Sequence, residues 1–268
     1  MEAEGIALVT GASRGIGRAV ALELSARGFD TIATMRDPAA GAGLAERATG
    51  KLRVERLDVT DANLAMPDGL RVVVNNAGVE SDNLPVEVMP VDFWRTIFET
   101  NVVGLVAVTR AAIPKLRATG GGVICNVTSS SILAPVPYLA AYRASKAAVS
   151  AIGESLQAEV AQFRIRVVEI MPGPIVTDML EASDRPPPAM QHELYRAQAE
   201  KMWESRQGIR GMYTPAEEAA RRIVDAILDD DGPLRYGCDD MREGMLKGWR
   251  SVASDDDWLR PMLNAFGA

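Results

Sequence analysis

Short apolar runs alternate with longer helical patterns along this chain, and that alternation restricts its fold more than any other feature. The runs predicted to be strands cover residues 6–9, 29–34, 53–57, 71–74, 123–127 and 165–170. The stretches predicted to be helices cover residues 15–27, 91–117, 142–162 and 215–229. Such alternation is typical of right-handed crossovers that build a parallel sheet with helices on both faces. The sequence therefore predicts an α/β fold with a doubly wound parallel sheet.

The 268 residues show no break in composition, so we expect a single domain over residues 1–268. Residues 181–212 contain three consecutive prolines and are predicted to form a mobile, lid-like insertion over a site; the alternative is a surface excursion without a role. Residues 232–268 are predicted to form a C-terminal extension with one short strand at 234–236. The crossover between Asp58 and Asn75 is close to the minimum of ~10–12 residues, so any helix in it should be short.

Charge and composition exclude several classes of protein. The net charge of −7 argues against a surface for nucleic acid or an anionic membrane. No uninterrupted apolar run approaches the roughly 18 residues that span a bilayer, and the acidic N-terminus leaves no room for a signal peptide. Cys125 lies in an apolar run and is predicted to be a reduced core residue, while His192, the only histidine, belongs to no ligand cluster. We expect a cytoplasmic protein without a metal site.

Tyr142 and Lys146 place a phenol and an amine one helical turn apart. A cation fixed beside a tyrosine favours the phenolate, lowers its pKa from ~10 and suits it to acid–base catalysis. The alternative is a packed ring beside a solvated amine.

A glycine-rich turn over residues 10–17 follows the first predicted strand and opens the first predicted helix. Glycines in that position let a pyrophosphate approach main-chain N–H groups at the helix N-terminus. The glycines follow the spacing G-x-x-x-G-x-G at Gly11, Gly15 and Gly17. With this spacing the turn resembles the nucleotide-binding motif of the short-chain dehydrogenase/reductase family.

Other motifs of that family follow in order. Residues 75–78 read Asn-Asn-Ala-Gly, and Asn101 matches the asparagine of a family helix. Ser129 lies thirteen residues before Tyr142 of the Y-x-x-x-K motif, and a Pro-Gly turn with Thr177 beyond it follows the sixth strand. The motifs span residues 10 to 177, about two thirds of the chain. The resemblance implies a single Rossmann-type domain and an oxidoreductase.

The resemblance also implies a role for each residue of a catalytic set. Tyr142 would exchange a proton with the substrate oxygen, Ser129 would hold that oxygen, and Lys146 would lower the pKa of Tyr142 and bind the nicotinamide ribose. Asn101 would position a water that links Lys146 to solvent. Ser130 and Ser131 remain rivals to Ser129, because spacing alone does not exclude them.

A second set would bind the cofactor. Its members are Gly11, Ser13, Arg14, Gly15, Ile16, Gly17, Arg36, Asp58, Val59, Asn76, Ala77, Gly78, Tyr142, Lys146, Pro172, Gly173, Ile175 and Thr177. Asn76 and Gly78 would chiefly shape the backbone, Thr177 would contact the nicotinamide carboxamide, and Asp58 would contact adenine or would be a simple strand-end carboxylate.

The residues after the second strand bear on the choice of cofactor. A carboxylate there accepts hydrogen bonds from the ribose of NAD, whereas arginine suits the 2′-phosphate of NADP. Met35 occupies the place of that carboxylate, Arg36 follows it, and Arg14 lies in the glycine turn. We therefore expect NADP(H), with NAD the less favoured cofactor. The alternative is that both arginines are solvated and Asp37 neutralises one of them.

Residues flanking the expected pocket are apolar: Ile132, Leu133, Pro135, Val136, Pro137, Tyr138, Met179 and Leu180. They predict a small apolar ketone, aldehyde or secondary alcohol as substrate, and no charged residue near Ser129 indicates an anionic one. One alternative is a 3-oxoacyl-carrier-protein reductase, which would use Arg143, Arg185 and Arg196 at the pocket mouth. Another is a non-catalytic dinucleotide-binding protein. The family resemblance also implies a homodimer or homotetramer formed through the long helices at 91–117 and 142–162.

Overall fold

The computed structural model describes residues 1–80, 82–183 and 185–265, apart from the side chains of residues 182, 183 and 265. Within these ranges, seven parallel strands form one sheet in the order β3-β2-β1-β4-β5-β6-β9. These strands are β1 Ile6–Val9, β2 Asp30–Met35, β3 Leu52–Arg56, β4 Leu70–Asn75, β5 Gly122–Val127, β6 Ile165–Met171 and β9 Arg235–Gly237. Two further strands, β7 Ile175–Val176 and β8 Thr214–Pro215, pair with each other.

The helices in the same ranges are α1 Gly15–Arg27, α2 Val91–Phe98, α3 Leu105–Ala118, α4 Ala140–Val160, α5 Asp178–Ser183, α6 Arg196–Gly208, α7 Ala216–Leu228, α8 Asp240–Ser251 and α9 Asp255–Ala265. Apolar residues of α1 and α7, such as Leu24 and Ile223, pack on one face of the sheet. Leu116 of α3 and Leu156 of α4 pack on the other. Because both faces are covered, central strands such as β4 are apolar at successive positions. The predicted doubly wound α/β fold is confirmed.

Two local features differ from the sequence prediction. The predicted helix at 91–117 is one continuous helical run, but a π-helical turn at Glu99–Gly104 joins α2 to α3. The proline-rich region is not only loop, because its second half forms α6 and packs through Ala199 and Met202 on Tyr138. In the crossover between β3 and β4 the structure shows turns and bends over residues 57–69 rather than a helix.

Among the described residues, one helix is long and apolar enough to cross a membrane. It is the run Val91–Ala118, with a mean hydropathy of 1.3. Core helices meet the same criteria, so this is weak evidence for a span. Val108, Ala112 and Leu116 of the run are buried in the core against the sheet, as expected for a core helix. Charged residues such as Arg95 and Glu99 interrupt this helix, so it contains no long uninterrupted apolar run.

Candidate active site

A cavity of about 950 Å³ lies at the carboxyl ends of the central strands. The loops that follow β1, β4, β5 and β6 form its floor, and side chains of α4, α6 and α8 contribute to its walls. Ligands of open α/β sheets bind at this edge, where the strand order reverses between β1 and β4. Each residue of the two predicted site sets lines the cavity except Asn101.

The glycine turn between β1 and α1 is held by Asn76, which follows β4. Its Nδ2 donates to the main-chain oxygens of Thr10 at 2.9 Å and Gly11 at 3.1 Å. A Cβ on Gly17 would lie 2.3 Å from that Nδ2, so glycine is the residue that fits there. Helix α1 begins at Gly15 without a side-chain cap. Its first N–H groups are therefore available to an anion such as a pyrophosphate.

Ser129, Tyr142 and Lys146 come together on the cavity wall. Ser129 follows β5 and lies close enough to the Tyr142 phenol, which belongs to α4, to lower the pKa of that phenol. Lys146 lies one turn further along α4 and is only 6% exposed. Its Nζ lies 5.8 Å from the centroid of the Tyr142 ring and donates to the main-chain oxygen of Val127 at 2.8 Å. The arrangement puts a hydroxyl, a phenol and an ammonium within reach of one small group.

The two rival serines are placed differently from Ser129. Ser130 is buried, and its main-chain N–H donates to the oxygen of Pro172 at 2.9 Å. The Ser131 main-chain N–H donates to Ser129 Oγ at 3.2 Å, and its own Oγ is buried without a hydrogen-bond partner among the described residues. Of the three serines, Ser129 is the one that acts on the Tyr142 phenol, which favours it as the residue that would share a substrate oxygen with the phenol.

The pKa of Tyr142 is raised above the ordinary value for tyrosine, mainly because burial disfavours the phenolate. Glu80 raises the pKa of Tyr142 further, while the hydrogen bond from Ser129 lowers it. Burial also lowers the pKa of Lys146, to about 8. The net shift of the Tyr142 pKa is therefore upward in this structure, where a downward shift was predicted, because desolvation of the phenolate has the largest effect. Tyr142 carries its proton at neutral pH and can act as a proton donor.

Asn101 lies in the π-helical turn and is buried behind the cavity wall. Its Oδ1 accepts from the Val79 N–H at 2.8 Å, and its Nδ2 donates to the Val79 oxygen at 2.9 Å and to Ser145 Oγ at 3.0 Å. Ser145 Oγ in turn donates to the main-chain oxygen of Tyr142 at 2.7 Å. The amide of Asn101 therefore connects the segment after β4 to the turn of α4 that carries Tyr142.

The expected adenine end of the cavity is formed by residues after β2 and β3. Arg36 is exposed and forms no hydrogen bond or ion pair with the residues described by the structure. Asp37 does not neutralise it, because the Asp37 carboxylate accepts from the Ala39 N–H at 3.0 Å. Arg14 lies 3.6 Å from Asp178, with both side chains largely exposed. The Arg36 guanidinium is thus available to a ligand.

Asp58 and Val59 both line the cavity. The Asp58 carboxylate accepts from Thr60 N at 3.0 Å and from Thr60 Oγ1 at 2.8 Å. These hydrogen bonds hold its pKa below the usual range, with a smaller effect from Arg36. Val59 is buried against Gly104, so it is part of the core as well as of the wall.

The opposite end of the cavity lies at the Pro172–Gly173 turn. Thr177 Oγ1 donates to the Ile175 oxygen and accepts from the Leu180 N–H, both at 3.2 Å. The Thr177 side chain also contacts Gly15 of the glycine turn. Thr177 therefore holds the start of α5 against the nucleotide-binding turn.

Several residues of the wall were missed by sequence reasoning. They are Glu80, Met202, Ser205, Arg206, Ile209, Tyr213, Arg242 and Met245. Of the predicted apolar set, Val136, Met179 and Leu180 line the cavity, whereas Leu133 packs on Leu246. The expectation of a pocket without charged groups was incomplete, because Glu80 and Arg242 approach it only through the folding of distant segments.

The three arginines considered for an acyl-carrier site do not gather at the cavity. The Arg143 Nε donates to the Ser131 oxygen at 2.6 Å, and the Arg196 Nε donates to the Met190 oxygen at 3.2 Å. Arg185 is exposed, and none of the three lines the cavity. This placement disfavours the hypothesis of a 3-oxoacyl-carrier-protein reductase. Within the described ranges there is also no group of three His, Cys, Asp or Glu residues that could hold a metal.

Comparison with known proteins agrees with this geometry. The family model for short chain dehydrogenase matches residues 5–187. The chain is 38% identical over 191 residues to the uncharacterized oxidoreductase YusZ of Bacillus subtilis, covering 66% of this chain and 68% of that protein. It is 33% identical over 264 residues to the oxidoreductase BOA17 of Botryotinia fuckeliana, covering 93% and 95%.

Solved structures show the same fold. A short chain dehydrogenase from Burkholderia cenocepacia in complex with NADP superposes with a TM-score of 0.72 at 26% identity, over 99% of this chain and 98% of that one. One from Burkholderia phymatum in complex with NAD gives a TM-score of 0.75 at 22% identity, over 93% of each chain.

The fold and the site define an oxidoreductase that acts on a CH–OH or C=O group with a nicotinamide dinucleotide. The chain belongs to the short-chain dehydrogenase/reductase family.

Proposed function

We propose that the protein is an NADP(H)-dependent oxidoreductase that interconverts a ketone or aldehyde and the corresponding alcohol, with Tyr142 as the proton donor and acceptor. The observation that carries this proposal is that Ser129, Tyr142 and Lys146 line one cavity, with Ser129 acting on the Tyr142 phenol and Lys146 Nζ lying 5.8 Å from the centroid of its ring. The nicotinamide supplies or accepts the hydride when it is bound. The chain itself supplies orientation and the proton.

The residues present fit such a cofactor. The start of α1 and the glycine turn before it suit a pyrophosphate, because no side chain caps the first N–H groups of the helix. Arg36 and Arg14 suit a 2′-phosphate, because the planar guanidinium pairs with such oxyanions. The exposed Arg36 without a protein partner supports NADP over NAD.

The protonation states support reduction of a carbonyl at neutral pH. The raised pKa keeps Tyr142 protonated, so the phenol donates to the oxygen that develops negative charge. Ser129 donates a hydrogen bond to the same oxygen. Lys146, with a pKa of about 8, is largely charged at pH 7 and stabilises the phenolate that remains after the transfer. Asn101 positions Tyr142 and Lys146 through its hydrogen bond to Ser145. Its main-chain oxygen can accept a hydrogen bond from a water.

We propose that residues 181–212 cover the substrate as a lid on the single domain. Met202, Ser205 and Ile209 of this segment line the cavity opposite the catalytic residues. The buried Met202 joins Tyr138 and Ala189 in a small apolar cluster that anchors the segment.

We also propose a homodimer or homotetramer. Val91, Phe93, Val103 and Val106 are large apolar residues of the α2–α3 run that remain exposed. A second copy packed on this face would remove them from water.

The function is tested by following NADPH consumption with a panel of aromatic, alicyclic and linear ketones and aldehydes. We expect turnover by the wild type and a loss of kcat of roughly 10²-fold in Ser129→Ala. Ser131→Ala is the matched control and should keep its activity within about threefold, because its hydroxyl makes no hydrogen bond to Tyr142. An equal loss of kcat in both variants, or no turnover of any substrate by the wild type, contradicts the proposal.

A further inference from the structure

Arg242 stands out among the cavity residues that the catalytic proposal does not use. It lies in the first turn of α8, in the C-terminal extension, and its side chain lines the same cavity as Ser129 and Tyr142. The loop after Ser129 packs on α8, since Leu133 is buried against Leu246. The guanidinium therefore stands at the substrate end of the cavity rather than at its adenine end.

A glycine makes room for this guanidinium. A Cβ on Gly173 would lie 2.3 Å from Arg242 Nε and 3.0 Å from its Cζ. Gly173 follows Pro172, whose oxygen accepts from Ser130 N at 2.9 Å. The Arg242 side chain thus lies directly on the turn that adjoins the catalytic serine loop.

The charge of Arg242 lacks a protein partner. Its Nε is buried without a hydrogen bond, and the guanidinium forms no ion pair within the described ranges. Asp239 stabilises the cation electrostatically, but the two side chains form no salt bridge. The Asp239 carboxylate instead accepts from the Arg242 main-chain N–H at 2.8 Å and caps α8. Burial lowers the pKa of Arg242, the direction expected for a cation that lacks compensation.

Arg242 is partly buried, and its buried Nε has no hydrogen-bond partner among the described residues; such a cation is costly unless a ligand compensates it. Arginine pairs well with oxyanions such as carboxylates, to which its planar fork donates two parallel hydrogen bonds, and a sulfonate offers similar oxygens. We infer that Arg242 binds an anionic group of the substrate, so that the preferred substrates are oxo acids with a carboxylate or sulfonate separated from the reacting carbonyl by an apolar segment. This inference rests on the proposed function and makes its substrate class narrower.

Matched pairs of ketones test this inference. We choose 4-acetylbenzoate and 4-acetylbenzenesulfonate as anions, methyl 4-acetylbenzoate as the neutral counterpart, and 4-oxopentanoate with its methyl ester as a shorter pair. The proteins compared are the wild type, Arg242→Met and Arg242→Lys. Lys247→Met is the control, because it removes an exposed charge from the same helix without touching the cavity.

We expect the wild type to prefer the anions over the esters in kcat/KM. Arg242→Met should lower kcat/KM for the anions by about tenfold or more, and for the esters by less than about threefold, as expected for a lost charge-assisted hydrogen bond. Arg242→Lys should recover part of the loss, and Lys247→Met should behave as the wild type. The difference between the carboxylate and the sulfonate shows which anion the site prefers.

Equal losses on anions and esters, or a rise confined to the KM for NADPH, would overturn the inference, because Arg242 would then be structural or a cofactor ligand. If the wild type reduces only the esters, the inference fails while the proposed function stands. If the wild type reduces none of these ketones, calorimetric titration of the NADP⁺-loaded protein with 4-acetylbenzoate and its ester tests the site. Anion-selective binding that is lost in Arg242→Met supports the inference. The absence of anion-selective binding in the wild type refutes it.

Discussion

Tyr142 illustrates how a single side chain depends on its neighbours for its chemistry. Its pKa is raised mainly by burial and further by Glu80, and it is lowered by Ser129. The motif alone predicted which residue would transfer the proton. It did not indicate the direction of the pKa, because that direction depends on how deeply the ring is buried and on a carboxylate from the loop after β4.

At the residue scale, Arg36 decides the choice of cofactor in our account. We predict that Arg36→Asp lowers kcat/KM with NADPH by about tenfold or more, because the charge-assisted pair of Arg36 with the 2′-phosphate becomes a repulsion. The preference for NADPH over NADH should therefore narrow or reverse. Steady-state kinetics with both cofactors measure the change. Arg47→Asp, a charge reversal outside the cavity, should leave the ratio unchanged. A wild-type enzyme that already prefers NADH would refute the assignment.

The residues beyond the motifs were the difficult ones to predict. Arg242 lies far along the chain from the motifs, and its approach to Gly173 depends on how α8 packs against the loop after Ser129. No local pattern in the sequence specifies such a contact. Glycine motifs are different, because Gly17 must be glycine for a reason that recurs wherever a nucleotide-binding turn meets an asparagine from the next strand.

At the scale of elements, a buried polar cluster connects the strands that carry the site. Glu169 of β6 is 1% exposed. It accepts from Thr128 Oγ1 and Ser150 Oγ, both at 3.0 Å, and from Arg235 Nε at 2.9 Å. The cluster thereby links β6 to the end of β5, to α4 and to β9, next in sequence to Ser129 and one helical turn from Lys146, two of the proposed catalytic residues.

We predict that Arg235→Met destabilises the protein by about 3–5 kcal/mol, because it leaves the Glu169 carboxylate buried without its cation. Urea unfolding followed by circular dichroism gives the free energy of unfolding. Arg53→Met is the comparison, since the ion pairs of Arg53 with Asp30 and Glu55 are half-exposed and should contribute about 1 kcal/mol or less. Equal changes in the free energy of unfolding for the two substitutions would show that the Glu169 cluster stabilises the protein no more than an exposed ion pair does.

The elements could be predicted to different degrees. The strands were found because buried parallel strands are runs of apolar residues, and β1 and α1 have the predicted bounds. The π-helical turn was not predicted; within it, Asn101 bonds to Val79, which lies 22 residues earlier in the chain. Helix α6 was not predicted either. Its residues are good helix formers, but the prolines before it and its polar composition concealed it.

At the scale of the whole molecule, the exposed apolar residues of the α2–α3 run predict self-association. We predict that Val106→Glu shifts the protein to a smaller species, because a buried carboxylate without a partner opposes assembly. Size-exclusion chromatography with light scattering measures the mass. Leu194→Glu, at a side chain that is 89% exposed on the insertion, should not change it. A monomeric wild type, or an unchanged oligomer in Val106→Glu, would contradict this account of the interface.

The central claim is that the Tyr142 phenol transfers the proton to the substrate oxygen, and the rate of a single turnover in Tyr142→Phe tests it most directly. With NADPH-loaded protein and a ketone that the wild type reduces, we predict a rate lower by roughly 10²–10⁴-fold, while NADPH binds with an affinity within about twofold of the wild type. Tyr236→Phe, whose phenol lies outside the cavity, should react as the wild type does. A rate in Tyr142→Phe within tenfold of the wild type, with NADPH binding intact, would contradict the account.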